Sequence, residues 1–372
     1  MKKIKVAYVA LFCIFIICFG TLSFRLLVNS FVNGERQDVD WNPQMGDRLE
    51  TDIAANFLYK SFFLNFSGAM SSFLNQPSLN NVYKLENGHL IIPEERLDQE
   101  EIKKNADEVI QYANYCMEKG KPFLFVQPIL NVDEDNKQLP PGVEDYSNEN
   151  VDDFLNYLRK AGIEVLDIRR CMKEDEMDIY NYTYITDHHW TTEGAFYAFY
   201  KITEWIEAKT GVAVDPRVVD INEYNIIIYS NWHLGSYGAR VGKYYAGVDD
   251  FDLIVPKFEV EFENKEGIKR TFSESVINSD EFQKRNVNIN HVYDNGIITP
   301  RGVADTSTDF SVLFMTDSYG TVMAPYLKLA YSVYEKRHYP SGFSKNDLEM
   351  TNPDVVVFMP YYTSEFCDAE CY

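Results

Sequence analysis

The sequence predicts an α/β fold: a mostly parallel sheet flanked by helices, with a β-rich insertion. Three observations predict it. Residues 98–119 place Ile102, Ala106, Val109, Ile110, Ala113 and Cys116 at three- and four-residue spacings, a helical stripe, and the apolar strand run PFLFVQPI (122–129) follows. The alternation repeats with a helix over 148–162, whose apolar side is Val151, Phe154, Leu155 and Leu158, and a strand IEVLDI at 163–168. It returns near the end of the chain as a strand at 311–316, a helix at 320–330 and a strand DVVVFM at 354–359. Apolar strands separated by helices pack as a parallel sheet covered on both faces.

Each remaining element has a local reason. Lys2, Lys3 and Lys5 precede an uncharged run from Val6 to Phe24, nineteen mostly apolar residues closed by Arg25. Such a run can just cross a bilayer, and the leading lysines keep that end in the cytoplasm. Residues 1–25 are therefore expected to be a single-pass anchor in the cell membrane, with the rest of the chain extracytoplasmic. A cleaved signal peptide is the rival; the length of the run and the lack of a small-x-small site favour the anchor, and Ile17 before Cys18 departs from a lipidation site. Residues 26–53 are polar without a period, a stalk. Residues 54–372 are expected to form the extracytoplasmic domain, with 54–75 packing over it as an apolar helix. Thr191 and Thr192 are natural N-caps for the helix EGAFYAFYKITEWIEAKTG, whose buried side would be Phe196, Phe199, Tyr200, Ile202 and Ile206. Residues 220–300 break the alternation. Phe258, Val260 and Phe262 alternate there as in a hairpin, which marks the β-rich insertion.

With 45% hydrophobic and 25% charged residues over 372 positions, the chain can bury a full-sized core, and wholesale disorder is excluded. A net charge of −22 repels phosphate backbones and anionic lipid headgroups and speaks against both as primary partners. The 26 tyrosines suit sugar contacts, although many must be core. Cys13 and Cys18 fall in the apolar run, Cys116 on an apolar helix face, and Cys367 with Cys371 would make a C-terminal clip in an exported domain. No cysteine spacing fits a zinc site.

The chemistry concentrates in two stretches. YITDHHWTTEG (184–194) sets Asp187, His188, His189 and Trp190 in the turn before a helix. LFMTDSYGTVMAPYL (313–327) sets Ser318 where a buried strand ends and a helix begins, a junction that lifts a hydroxyl out of the sheet beside unpaired backbone amides. A serine hydroxyl needs an adjacent base, and the base an orienting acid. Asp187 and one histidine of the pair supply both from one turn. Asp317 is placed to brace the Ser318 turn.

TDHHW followed much later by MTDSYG resembles the DHHW protein family, which is related to the periplasmic O-acetyltransferase proteins of alginate modification and more distantly to SGNH hydrolases. The likeness runs from NNVYKLENGHLI (80–91) to PDVVVFMPYY (353–362). It implies an SGNH hydrolase-like sheet, Ser318 as nucleophile, His189 as base, Asp187 as its orienting acid and His188 as a structural residue. It further implies O-acyl transfer, most simply acetyl, onto a cell-surface polysaccharide through an acyl-enzyme, with a multi-span membrane acyltransferase delivering the acyl group and no cofactor or metal. If water resolves the acyl-enzyme, the activity is an esterase. Trp190 and Tyr319 are candidate binding residues, Trp190 either stacking on a sugar ring or packing in the core, and Gly235 in HLGSYGARVG (233–242) is the candidate glycine among the oxyanion donors. The asparagine that SGNH proteins add to those donors has no evident counterpart, and FMPYYTSE is not the family's usual tail.

Other classes stay open from the residues alone. Ser318 also fits a plain helix cap, and the histidine pair a turn bonded to backbone. Asp-His-His after a strand also marks manganese-dependent phosphoesterases, whose metals need an Asp-x-Asp earlier in the domain; Asp38-Val39-Asp40 lies in the stalk. A catalytically inert, membrane-tethered glycan-binding protein would keep the same fold. The carboxylates of VDEDN (132–136) fit a solvated loop, lacking the fuller ligand spacing of a calcium loop.

Overall fold

Every residue of FLFVQ (123–127), VVVFM (355–359) and nearly every residue of SVLFMT (311–316) is buried, because these runs form the middle of a sheet covered on both sides. The computed structural model describes Thr21 and residues 60–135, 137–263, 269–273, 301–337 and 345–359. The expected anchor, the stalk, Cys13, Cys18, Cys367, Cys371, the FMPYYTSE tail after Met359 and much of 264–300 lie outside the described residues. Among the described residues no helix is long and apolar enough to cross a membrane.

In chain order, α1 (Lys60–Phe73) leads into three short strands, β1 (Ser78–Leu79), β2 (Val82–Lys84) and β3 (Leu90–Ile91). Next come α2 (Gln99–Glu118), β4 (Phe123–Gln127), α3 (Ser147–Lys160), β5 (Glu164–Asp167) and α4 (Ile168–Glu174). α5 (Thr192–Thr210) precedes β6 (Tyr224–His233), α6 (Ser236–Val241), α7 (Lys243–Ala246) and β7 (Asp249–Pro256). β8 (Glu261–Glu263), β9 (Lys269–Thr271), β10 (Arg301–Ala304), β11 (Ser311–Thr316), α8 (Gly320–Ala330), β12 (Ser332–Arg337), α9 (Lys345–Thr351) and β13 (Val355–Met359) complete it.

The main sheet runs β5-β4-β13-β11-β12-β10-β8-β9. Its first five strands are parallel and the last three add antiparallel, so the expected α/β sheet carries an antiparallel extension. Alternate residues feed opposite faces, as the two-residue period of a strand requires. Phe123, Phe125, Leu313, Met315, Val356 and Phe358 pack against α2 and α3, with Cys116 in that core as the helical stripe predicts. Leu124, Val126, Val312, Phe314, Val355 and Val357 pack against α5 and α8.

The region expected to be β-rich is more mixed. β6 and β7 form a long antiparallel ribbon, but α6 and α7 lie between them, and the predicted hairpin appears as β8–β9 on the edge of the main sheet. Phe258 and Val260 precede that hairpin rather than belonging to it. α5 begins as predicted, with Thr191 Oγ1 accepting the Gly194 N–H, and ends at Gly211, whose φ of 77° is the left-handed cap a glycine permits. Tyr200 stays half-exposed on that helix, its hydroxyl donating to Glu204.

Phe358 lies at the centre of the sheet, 0% exposed, with ring centroids 5.7 Å from Phe123, 5.9 Å from Tyr112 and 6.1 Å from Phe125. Phe358→Ala is expected to cost about 3–5 kcal/mol, since so interlocked a pocket cannot collapse; urea unfolding measures it as a lowered midpoint at unchanged slope.

Candidate active site

The turn at 184–190 is fastened before any of its side chains acts. Thr183 and Trp190 form an antiparallel bridge, and the Tyr184 N–H donates to the His189 carbonyl at 3.2 Å. The buried carboxylate of Asp249, on β7, accepts the N–H groups of Ile185 (2.9 Å) and Thr186 (2.8 Å) and also the Thr186 hydroxyl. The Asn131 side-chain amide holds the Asp187 carbonyl at 2.9 Å.

Asp187 and His189 face one another inside this turn, 0% and 1% exposed. Asp187 Oδ1 accepts the His189 N–H at 3.1 Å and lies 2.6 Å from His189 Nδ1. Its Oδ2 accepts the Ser236 N–H at 2.7 Å, from the first residue of α6, and lies 3.6 Å from Nε2 of buried His233. Burial alone would raise this carboxyl, yet the hydrogen bond from His189 and the nearby imidazoles, His233 among them at 3.6 Å, hold it well below the usual carboxylate range. An ionised carboxylate only accepts, so the His189 proton sits on Nδ1 and Nε2 presents its lone pair. That lone pair lies 2.8 Å from Ser318 Oγ, 129 residues later in the chain.

Ser318 stands just beyond the carboxyl end of β11, at the edge of the parallel sheet where α/β proteins place ligands. Asp317 Oδ1 accepts the Tyr319 N–H at 2.9 Å and braces the turn. Gly320 lets α8 start directly against the strand: a Cβ there would come within 2.4 Å of the Thr316 side chain. Ser318 itself is half-buried.

Residues 89–223 match the family model described as "SGNH hydrolase-like domain, acetyltransferase AlgX". The matched segment contains the Asp187–His189 turn and ends before Ser318. Bacillus cereus PatB1 has a similar fold at 18% identity over 76% of this chain and 96% of that one, TM-score 0.58. So does B. cereus PatB1 with a sulfonyl adduct, at 17% identity over 79% and 99%, TM-score 0.59. A DHHW family protein from Eubacterium siraeum DSM 15702 aligns at 16% identity over 77% and 92%, TM-score 0.48. No curated protein matches this chain.

Three expected contacts fall elsewhere. Trp190 is 0% exposed and its indole N–H donates to the Tyr319 carbonyl at 3.0 Å, so it joins the base turn to the nucleophile turn and offers no face to a sugar. Tyr319 is 3% exposed and its hydroxyl donates to the His188 carbonyl, which makes it a second such clamp. The Gly235 N–H is spent on Thr186 Oγ1 at 2.8 Å, so Gly235 supplies no oxyanion donor. Its smallness is what the site uses: a Cβ there would meet Asp187 Cβ at 2.3 Å and the Thr186 carbonyl at 2.5 Å. His188, expected to be structural, has a side chain 35% exposed, with Nδ1 2.8 Å from Ser236 Oγ.

Asp249, His233 and Ser236 were not marked by the sequence; all three come from the β6–β7 lobe. Asp187, His188 and His189 also form the one cluster among the described residues able to hold a metal ion, their ligand atoms within 4.8 Å of one another. Asp133-Glu134-Asp135 is a second Asp-x-Asp upstream, but Glu134 pairs with Lys173 and Asp135 with Lys137.

The His188 imidazole is pushed down to about 4, first by burial and then by the charge of His189, with Arg240 adding to this and Asp187 opposing. The folded state thus keeps His188 neutral where the unfolded chain protonates it. The sign follows: between the unfolded value near 6.5 and about 4, the unfolded state binds more protons, so stability falls as pH falls. His188→Gln is expected to flatten the acid limb of stability by up to about one proton's slope across that window, measured by urea unfolding at a series of pH values.

Proposed function

We propose that this chain is an extracytoplasmic, serine-dependent O-acyl transferase, with acetyl as the group moved and a cell-surface polysaccharide as acceptor. The observation that carries the reading is the continuous line from Ser318 Oγ to His189 Nε2 and from His189 Nδ1 to Asp187. His189 Nε2 takes the Ser318 proton as Oγ attacks the acyl carbonyl. Buried, ionised Asp187 stabilises the imidazolium that forms. The tetrahedral oxyanion needs donors. The N–H groups of Tyr319, Gly320 and Thr321 are used inside the turn, which leaves the Ser318 N–H as the amide to face it. Collapse expels the donor's leaving group, which takes its proton from His189. A glycan hydroxyl, deprotonated in turn by His189, then attacks the acyl-serine carbonyl and releases Ser318. If water enters at that step, the same site is an acetylesterase.

The described match to an acetyltransferase domain over 89–223 supports this chemistry, and the related fold of PatB1, solved with a sulfonyl adduct, makes a sulfonyl fluoride the natural covalent probe. Residues 1–25 would tether the domain to the outer face of the membrane, within reach of a multi-span acyltransferase that supplies the acyl group.

The test is release and transfer of acetyl from a chromogenic ester, with and without glycan acceptors. Ser318→Ala and His189→Ala are each expected to lower the rate by about a thousandfold or more, and chelator treatment to leave wild type unchanged. Equal rates in all three proteins would remove the enzymatic reading. His233→Gln isolates the support of Asp187: kcat is expected to fall roughly tenfold at near-constant KM, because only the orientation of the base is disturbed.

A further inference from the structure

α1 packs the wrong way round for a core helix. Its buried residues are Gly68 and Ser71, and at Gly68 the approach is so close that a Cβ would meet the Val241 carbonyl of α6 at 2.4 Å and the Tyr245 Cβ of α7 at 3.2 Å. Asn65 Oδ1 accepts the Lys243 N–H at 2.9 Å and fixes the start of α7 against it. The large apolar side chains point out. Phe62 is 63% exposed, Phe66 58%, Met70 45% and Phe73 81%, a stripe at four-, four- and three-residue spacings along one face. Phe63 and Leu74 extend it, at 39% and 59%, and the Phe62 and Phe66 rings stack along it. α1 carries one charged residue, Lys60, at its first position.

We infer that this face of α1 lies in the interfacial layer of a phospholipid bilayer, as a surface helix distinct from any spanning segment. Three features select lipid over a protein partner. The stripe is built from Phe, Met and Leu, which bring apolar area without a hydrogen-bonding group, and α1 holds none of the Trp, Tyr or Arg that dominate binding energy between proteins. Acyl chains ask only for apolar area. The chain is acidic overall, at −22, so a contact driven by burial rather than by charge is the one that survives near a membrane. Lastly, only 35 residues separate the uncharged run Val6–Phe24 from Lys60, which keeps α1 at high local concentration at any bilayer that run enters. The contact is independent of the acyl chemistry proposed above.

The full chain is reconstituted in phosphatidylcholine nanodiscs as wild type and as Phe66→Trp, with ordinary or chain-brominated lipid. The four native tryptophans are subtracted through the wild type. The added emission is expected to be blue-shifted and to lose roughly a third or more of its intensity in brominated lipid, as for an indole seated about 5–10 Å into the interface. Phe73→Trp, two turns further along the stripe, repeats the test should Phe66→Trp fold poorly. An added signal that bromine does not quench overturns the inference. If that unquenched signal is blue-shifted, the face is covered by protein instead: by a second copy if the shift vanishes at one chain per disc, by residues 22–59 if it persists.

Discussion

The carboxylate of Asp187 is the constraint on which the site depends. It is fully buried, and a buried ion survives only when its oxygens are met by donors. Here they arrive from two places: the His189 ring and N–H within the same turn, and the Ser236 N–H from the head of α6. The second belongs to the β6–β7 lobe, as does His233, whose Nε2 lies 3.6 Å from the carboxylate. The lobe is therefore part of the site, and its ribbon supplies the walls that let a charge sit where water does not reach. Asp249 belongs to the same scheme, since it pins the backbone that carries Asp187.

The nucleophile side is built differently. Ser318 is positioned by the sheet, at the end of a strand flanked on both sides by parallel neighbours. Trp190 and Tyr319 then join the two halves by crossing hydrogen bonds, each from a buried ring to a carbonyl of the other turn. Two aromatic residues that a sequence offers as sugar platforms are more useful as bolts. They fix the approach of hydroxyl to imidazole while leaving Ser318 half-buried and open to a reactant.

Much of this was legible beforehand, for identifiable reasons. A period of 3.6 in 98–119 and 148–162, and short apolar runs at 123–127, 311–316 and 355–359, are local signals that fix element type within a residue or two. Asp187, the histidine pair and Ser318 stood out because each lies at a turn just before a helix, and the choice of His189 over His188 came from the likeness of TDHHW and MTDSYG to a known family. His233, Ser236 and Asp249 did not, and Gly235 was singled out for a different role, because what they do is touch residues some fifty to sixty positions away, and spacing along the chain carries no trace of that. α1 misled for another reason. Its composition is that of a core helix, and only the close packing at Gly68 reveals that the phenylalanines lie on the other side.

The order of the chain has a consequence of its own. The imidazole turn emerges from the ribosome well ahead of the hydroxyl, with 129 positions between His189 and Ser318, and the donors that keep Asp187 charged arrive in between. β11 is inserted between β13 and β12, so its neighbours in the sheet are made later still. A nascent chain thus holds the Asp187–His189 turn before Ser318 exists. The Ser318 hydroxyl meets His189 in a finished sheet only after β12 and β13 have been synthesised and have closed around β11.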